Sequence, residues 1–225
     1  MSNSLAGSKP NRSGAATRAR IIDAAIYIMA EGGFAAITLQ AVAALANIRY
    51  GNLTHHYPTR EKLIEALMEA LLERYRAEFA GLAAAIAEGQ DGSLRNIVDW
   101  LLKDATEKQT GPVFLELWAM TNHMPEIAAA METLYDEAVN ACIAALGVSQ
   151  DAATASGLRS ALYMLGTVLE GSSAIFSSRR RDTDIYLGFR DEAFNTLTGL
   201  LEDRLSKART LMAQAPPPAP ARGSP

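Results

Sequence analysis

Six polar side chains crowd into eight consecutive positions: Arg49, Tyr50, Asn52, Thr54, His55 and His56. An arginine pairs in two places with guanine O6 and N7, and an asparagine does the same with adenine N6 and N7. Leu53 and Tyr57 stand four apart and face inward if the stretch is helical, which leaves the polar set outward or sideways. Gly51 leaves room for a backbone to come close to a duplex. The same residues also suit an ordinary solvated surface helix.

The flanking residues say how such a helix would be held. Thr38 is a good N-cap, because its hydroxyl accepts from free N–H groups in the next turn. Leu39, Val42, Ala43, Leu45 and Ala46 then form a small apolar face at helical spacing. Asn47 falls where the chain must turn left-handed, a conformation asparagine tolerates. Ile48 returns to the core, Arg49–Tyr57 makes about two helical turns, Pro58 stops them, and Thr59 caps the next helix. Two helices across a short turn form a helix-turn-helix, whose second helix fits the major groove of double-stranded DNA.

The run ALANIRYGNLTHHYPTREKLIEAL resembles the DNA-binding signature of the TetR family of transcriptional regulators, through Ala46, Ile48, Gly51, Leu53, Tyr57, Pro58, Glu61 and Leu63. Upstream, TRARIIDAAIYIMAEGGFAAITLQAVA is similar to the family's first helix and its glycine exit, and the signature covers about residues 17–66. Three positions depart from it. Asn47 replaces the usual turn glycine, Thr54 the recognition-helix tyrosine and Arg60 the lysine. The resemblance implies that Arg49, Tyr50, Asn52 and His55 read bases, with Thr54 beside them, while Thr38, His56 and Arg60 hold phosphates. It further implies a homodimer whose last two helices build a four-helix bundle with a twofold-related copy.

Composition agrees with a helical DNA-binding protein. The chain has 225 residues, 49% of them apolar and only 7% aromatic, enough for one large domain or two small ones. No period-2 strands stand out. The lone Cys142 excludes an internal disulfide and fits a reducing cytoplasm, and no secretory leader is expected. Residues 1–62 carry seven Lys/Arg against three Asp/Glu, whereas residues 63–225 carry fourteen against twenty-two. A basic module on an acidic body suits nucleic acid at one end only.

The rest of the chain reads as a succession of helices. Residues 1–16 are expected to be a flexible arm, 17–62 the helix-turn-helix domain, 63–212 a ligand-binding and dimerisation domain, and 213–225 a disordered Pro/Ala-rich tail. Helix one should run from Thr17 to Glu31. A helix from Thr59 to about Glu88 spans about 45 Å and is a natural lever from the DNA module. After a break at Gly89–Gly92, Ser93 caps a helix to about Lys108. Pro112 starts the next, and Pro125 opens one with Ile127, Met131, Leu134, Ala138, Cys142 and Ala145 inward. Long apolar helices follow at 151–178 and 185–212, joined by a loop at Arg179–Arg181. The run Ser160–Ser178 contains Glu170, two glycines and several serines, so a helix buried in protein is expected there and no membrane span.

No Walker loop, GxGxxG, HExxH, GxSxG or cysteine pair occurs, so an enzyme is not expected. Three histidines, two of them adjacent, supply no metal site, and no cofactor is expected beyond an unidentified small-molecule effector. Trp100, Trp118, Asn122, His123, Tyr163, Glu170 and Phe176, with Met120, Tyr135 and Met164, are candidates to line its pocket, although the aromatics and methionines would equally serve as core. Glu170, the one charge between Arg159 and Arg179, could balance a cationic ligand or meet a solvent channel or a partner's arginine. The reading is an all-α, two-part protein: a three-helix DNA module followed by a larger body. Function follows as a dimeric, cytoplasmic, ligand-responsive repressor on a near-palindromic operator. A helical small-molecule-binding or scaffolding protein without operator binding is the alternative.

Overall fold

The computed structural model describes residues 12–88, 94–106, 111–180 and 182–214, and all regular structure among them is helical. Two compact units are present, Met1–Leu71 and Leu72–Pro225. The expected break and cap at 89–93, the helix end at Lys108, the loop residue Arg181 and most of the expected arm and tail lie outside the described residues.

The first unit holds α1 (Arg12–Gly32), a 3₁₀ turn (Phe34–Ala36), α2 (Leu39–Leu45), α3 (Tyr50–His56) and the start of α4 (Arg60–Ala87). Residues 12–16, expected in the arm, are the first turn of α1, and two alanines there favour the helix. Gly33 ends α1 with a φ of 75°, and a side chain on Gly32 would strike the Ala36 methyl. Helices of seven residues do not persist by themselves in water. Packing therefore holds α2 and α3, through Ile21, Ala25, Met29, Ile37, Val42, Leu53, Leu63 and Leu67, all essentially removed from solvent. The division between units falls inside α4, because its first turns bury Leu63, Leu67 and Leu71 in the first unit.

The second unit contains the remainder of α4, then α5 (Leu94–Asp104), α6 (Gly111–Thr121), α7 (Pro125–Ala145), α8 (Ala152–Arg180) and α9 (Asp184–Gln214). Arg179 and Arg180, expected in a loop, are the last turn of α8, and α9 continues to Gln214 through residues assigned to the tail. The core joins Val98 and Leu102 of α5, Val139 and Ile143 of α7, Leu158, Leu162 and Leu165 of α8, and Leu197 and Leu201 of α9. On α7 the buried stripe in the second half is thus Val139 and Ile143, in place of the expected Ala138, Cys142 and Ala145. The bulkier pair is buried in the core with Cys142 packed against it, and Ala138, Val139 and Cys142 all border a cavity.

Several polar residues in the apolar helices are satisfied by backbone carbonyls. Ser172 donates to the Val168 carbonyl at 2.6 Å and Thr198 to the Phe194 carbonyl at 2.6 Å, each four residues back. Ser173 reaches the Ala105 carbonyl at 2.5 Å, and Gly111 must be glycine because a Cβ would lie 2.8 Å from that oxygen. Among the described residues no helix is long and apolar enough to cross a membrane.

Candidate functional site

The first unit presents the polar set of α3 on a braced turn. Thr38 caps α2, its hydroxyl accepting from the Ala41 N–H at 3.1 Å. Asn47 has a φ of 51°, the left-handed conformation that lets α2 stop and the chain reverse. Arg49 is the extended residue before α3, and Leu53 and Tyr57 are buried beneath it. Arg49, Tyr50, Asn52 and His55 remain exposed side by side. Gly51 meets no atom within 4 Å of where a Cβ would stand, so nothing inside the chain requires a glycine there. An exposed glycine within a helix costs about 1 kcal/mol relative to alanine.

Three of the expected DNA contacts are differently placed. Thr54 is half-buried and donates its hydroxyl back to the Gly51 carbonyl at 3.2 Å. His56 is also half-buried, and its pKa lies below the ordinary imidazole value, through burial first and then the nearby His55 and Arg18. It is therefore a neutral hydrogen-bonding group at neutral pH, not a cation. Arg60, expected on a phosphate, donates Nε to the Ile37 carbonyl at 2.6 Å and Nη2 to the Phe34 carbonyl at 2.9 Å, with its guanidinium 4.7 Å from the Phe34 ring centre. It braces α4 against the residues just before α2. Arg20, which the sequence did not single out, does the matching job at the other end of α2, where Nη2 donates to the carbonyls of Ala46 and Asn47. Neither brace has a local signal, since the partners lie 23 to 27 residues away.

The second unit holds two adjoining hollows. One is an apolar cavity of about 130 Å³ lined by Tyr75, Trp100, Phe114 and Leu165 among others. The other is a more open cleft of about 740 Å³ lined by Trp118, Asp136, Tyr163 and Thr167 among others. Tyr135, Gly166 and Glu170 belong to both. A Cβ at Gly166 would press to 3.3 Å on the Tyr135 ring, so the glycine leaves that ring its room. With that space open, the Tyr135 hydroxyl donates to Glu170 Oε1, while buried Oε2 has no partner. Burial raises the Glu170 carboxyl above the usual carboxylate value, an effect that the Tyr135 hydroxyl and Trp118 indole only partly offset.

Trp100, Trp118, Tyr163 and Glu170 of the expected pocket residues thus border the hollows. Asn122 and His123 do not; they are exposed on the turn after α6. Phe176 is buried against Tyr186 and Phe189 of α9 instead, and Met164 points outward at 52% exposure. The lining also includes Tyr75 of α4 and Phe114 of α6, whose rings pack against each other. Among the described residues no cluster of histidine, cysteine or carboxylate side chains is arranged to hold a metal.

A helix-turn-helix module followed by a helical body with an apolar hollow is the class of protein these features define. Residues 21–67 match the family described as bacterial regulatory proteins, tetR family. The HTH-type transcriptional regulator BetI of Burkholderia thailandensis is 31% identical over 113 residues, which cover 49% of this chain and 57% of that protein. Its namesake in Stenotrophomonas maltophilia is 29% identical over 112 residues. The chain therefore spans little more than half the length of the curated relatives it matches. A Mesorhizobium loti protein assigned to the TetR family superposes with a TM-score of 0.68 at 16% identity, over 88% of this chain and 98% of that one. The multidrug binding protein EbrR, solved with malachite green, gives 0.54 at 22% identity over 85% and 98%. Fold similarity thus extends across most of the chain, while the curated relatives align over about half of it and the family model over residues 21–67. Residues 21–67 thus carry the tetR-family domain, and the curated relatives that the chain resembles are named as transcriptional regulators.

Proposed function

We propose that this regulator is a homodimeric repressor that binds a near-palindromic operator and is released by a small molecule. The observation that carries the reading is the exposed row Arg49, Tyr50, Asn52 and His55 on a two-turn helix whose inner face is buried and whose neighbour α2 is braced at both ends. A rigid presentation of this kind is what base reading in the major groove requires. The names of the relatives, all HTH-type regulators, support it. Dimerisation rests on large apolar side chains left in solvent on the last two helices: Met164 and Ile175 on α8, Ile185 and Leu187 on α9. Two copies related by a twofold axis would read two half-sites about 34 Å apart.

The hollows in the second unit are the effector site. α4 has residues in both units, so a ligand-driven change at Tyr75 has a continuous helix along which to act. The ligand releases DNA only by binding the DNA-incompetent arrangement more tightly, and about 1.4 kcal/mol of preference weakens the operator tenfold.

A gel shift with the DNA flanking the protein's own gene tests the reading. The wild type should form a specific complex resistant to random competitor DNA, and Asn52→Ala should lose about 1–3 kcal/mol of that affinity and relax base preference. Failure of the wild type to distinguish the flanking DNA from random sequence would sink it.

A further inference from the structure

The geometry points to a compact organic cation with an aromatic or branched apolar body as the ligand of the hollows, with Glu170 as its counter-ion. This rests on the reading of those hollows as the effector site and names the chemistry they select.

Charge decides between ligand classes. The two linings together include the carboxylates Glu78, Asp104, Glu132, Asp136 and Glu170 and not one lysine, arginine or histidine. Several of these acids are already engaged: Glu78 is held by Arg74 at 3.0 Å, and Asp136 accepts from the Tyr163 hydroxyl. Glu170 differs because it lies at the junction, largely buried, with Oε2 unpartnered. An unpaired buried carboxylate is expensive. A glutamine in its place would fold with less penalty, so a structural role alone does not account for the acid. A bound cation compensates the buried charge directly.

The walls suit the rest of such a molecule. Tyr135 and Trp118 pack with ring centres 5.7 Å apart beside Glu170, and Tyr75 and Phe114 stand 4.4 Å apart along the inner cavity. Ring faces attract a desolvated cation, and apolar walls bury its hydrocarbon part. An anionic ligand would find no lysine, arginine or histidine in either lining to balance it, and a neutral one would leave Glu170 uncompensated.

The test uses the full chain without DNA and three probes: phenyltrimethylammonium, its uncharged shape-mate tert-butylbenzene, and benzenesulfonate. Binding is read by tryptophan fluorescence, through Trp100 and Trp118, and by thermal shift at pH 7.5. The wild type should bind the cation at least about tenfold more tightly than the neutral probe, and benzenesulfonate not at all. Glu170→Gln, which keeps an acceptor for Tyr135, should lose that preference while still taking up the neutral probe, showing that the cavity is intact. Equal affinity for cation and neutral probe, an unchanged cation affinity in Glu170→Gln, or no binding of any probe overturns the assignment. The regulatory reading fails separately: a cation that binds through Glu170 but leaves operator binding unchanged upholds the ligand class and sinks the response.

Discussion

Arg60 Nε lies 2.6 Å from the carbonyl oxygen of Ile37, 23 residues earlier, so the first residue of α4 is fastened to the segment that leads into α2. A second bond to Phe34 and the stacking on its ring complete the brace. Such a contact converts a residue that looks like a phosphate anchor into part of the scaffold.

Arg60→Ala should therefore lower the stability of the DNA module by about 2 kcal/mol, the usual scale for charge-assisted hydrogen bonds that are lost while their acceptors stay half-buried. Arg60→Lys should recover part of it, since an ammonium can meet a carbonyl but cannot span two as the guanidinium does. Hydrogen exchange of the α2 and α3 amides measures the loss, and operator titrations at several salt concentrations complete the comparison. A flattened salt dependence with unchanged amide protection would place Arg60 on a phosphate after all.

Dimerisation has a selective disruption. Ile175→Asp and Ile185→Asp change side chains that are 61% and 67% exposed in the single chain, so each should yield a monomer of native helix content. Leu197, although it belongs to the same apolar stretch of α9, is only 2% exposed and sits in the shared core. Leu197→Glu should unfold the body, at upwards of about 4 kcal/mol, because it buries an unpaired charge. Sedimentation at micromolar concentration with circular dichroism separates the two outcomes; a monomeric wild type defeats the dimer.

The unliganded protein should carry a pH signature of Glu170. Its carboxyl has a raised pKa in the folded state, with burial as the main cause, so the folded chain holds that proton more tightly than the unfolded one. Stability from this group is then present below the ordinary carboxylate range and is lost as pH rises through the raised value. The groups around it are Tyr135 of α7, Tyr75 and Glu78 of α4 and Asp104 of α5, and both tyrosine hydroxyls are themselves shifted upward and stay neutral. Glu170→Gln should consequently melt higher than wild type at pH 8, with the gain shrinking toward pH 4. A constant gap across that range would mean that the carboxyl does not titrate differently on folding.

Much of the DNA module was determined by the sequence alone. The Thr38 cap, the left-handed Asn47, the stop at Pro58 and the cap at Thr59 were all legible. So was the inward pair Leu53 and Tyr57. Each depends on backbone groups within about one turn, where residue type and spacing are enough. The order and approximate length of the helices in the body were legible for the same reason. Tertiary structure decided the rest. It assigned Arg20 and Arg60 to carbonyls far along the chain, turned α7 so that Val139 and Ile143 fill the core, and left Asn122 and His123 outside the hollows. It also set Tyr135 against Glu170 across the gap that Gly166 leaves, 35 residues apart in sequence. Periodicity tells that a helix has an apolar face, but not which neighbour covers it or which polar group that neighbour brings. Those pairings arise only when all the helices compete for the same buried volume.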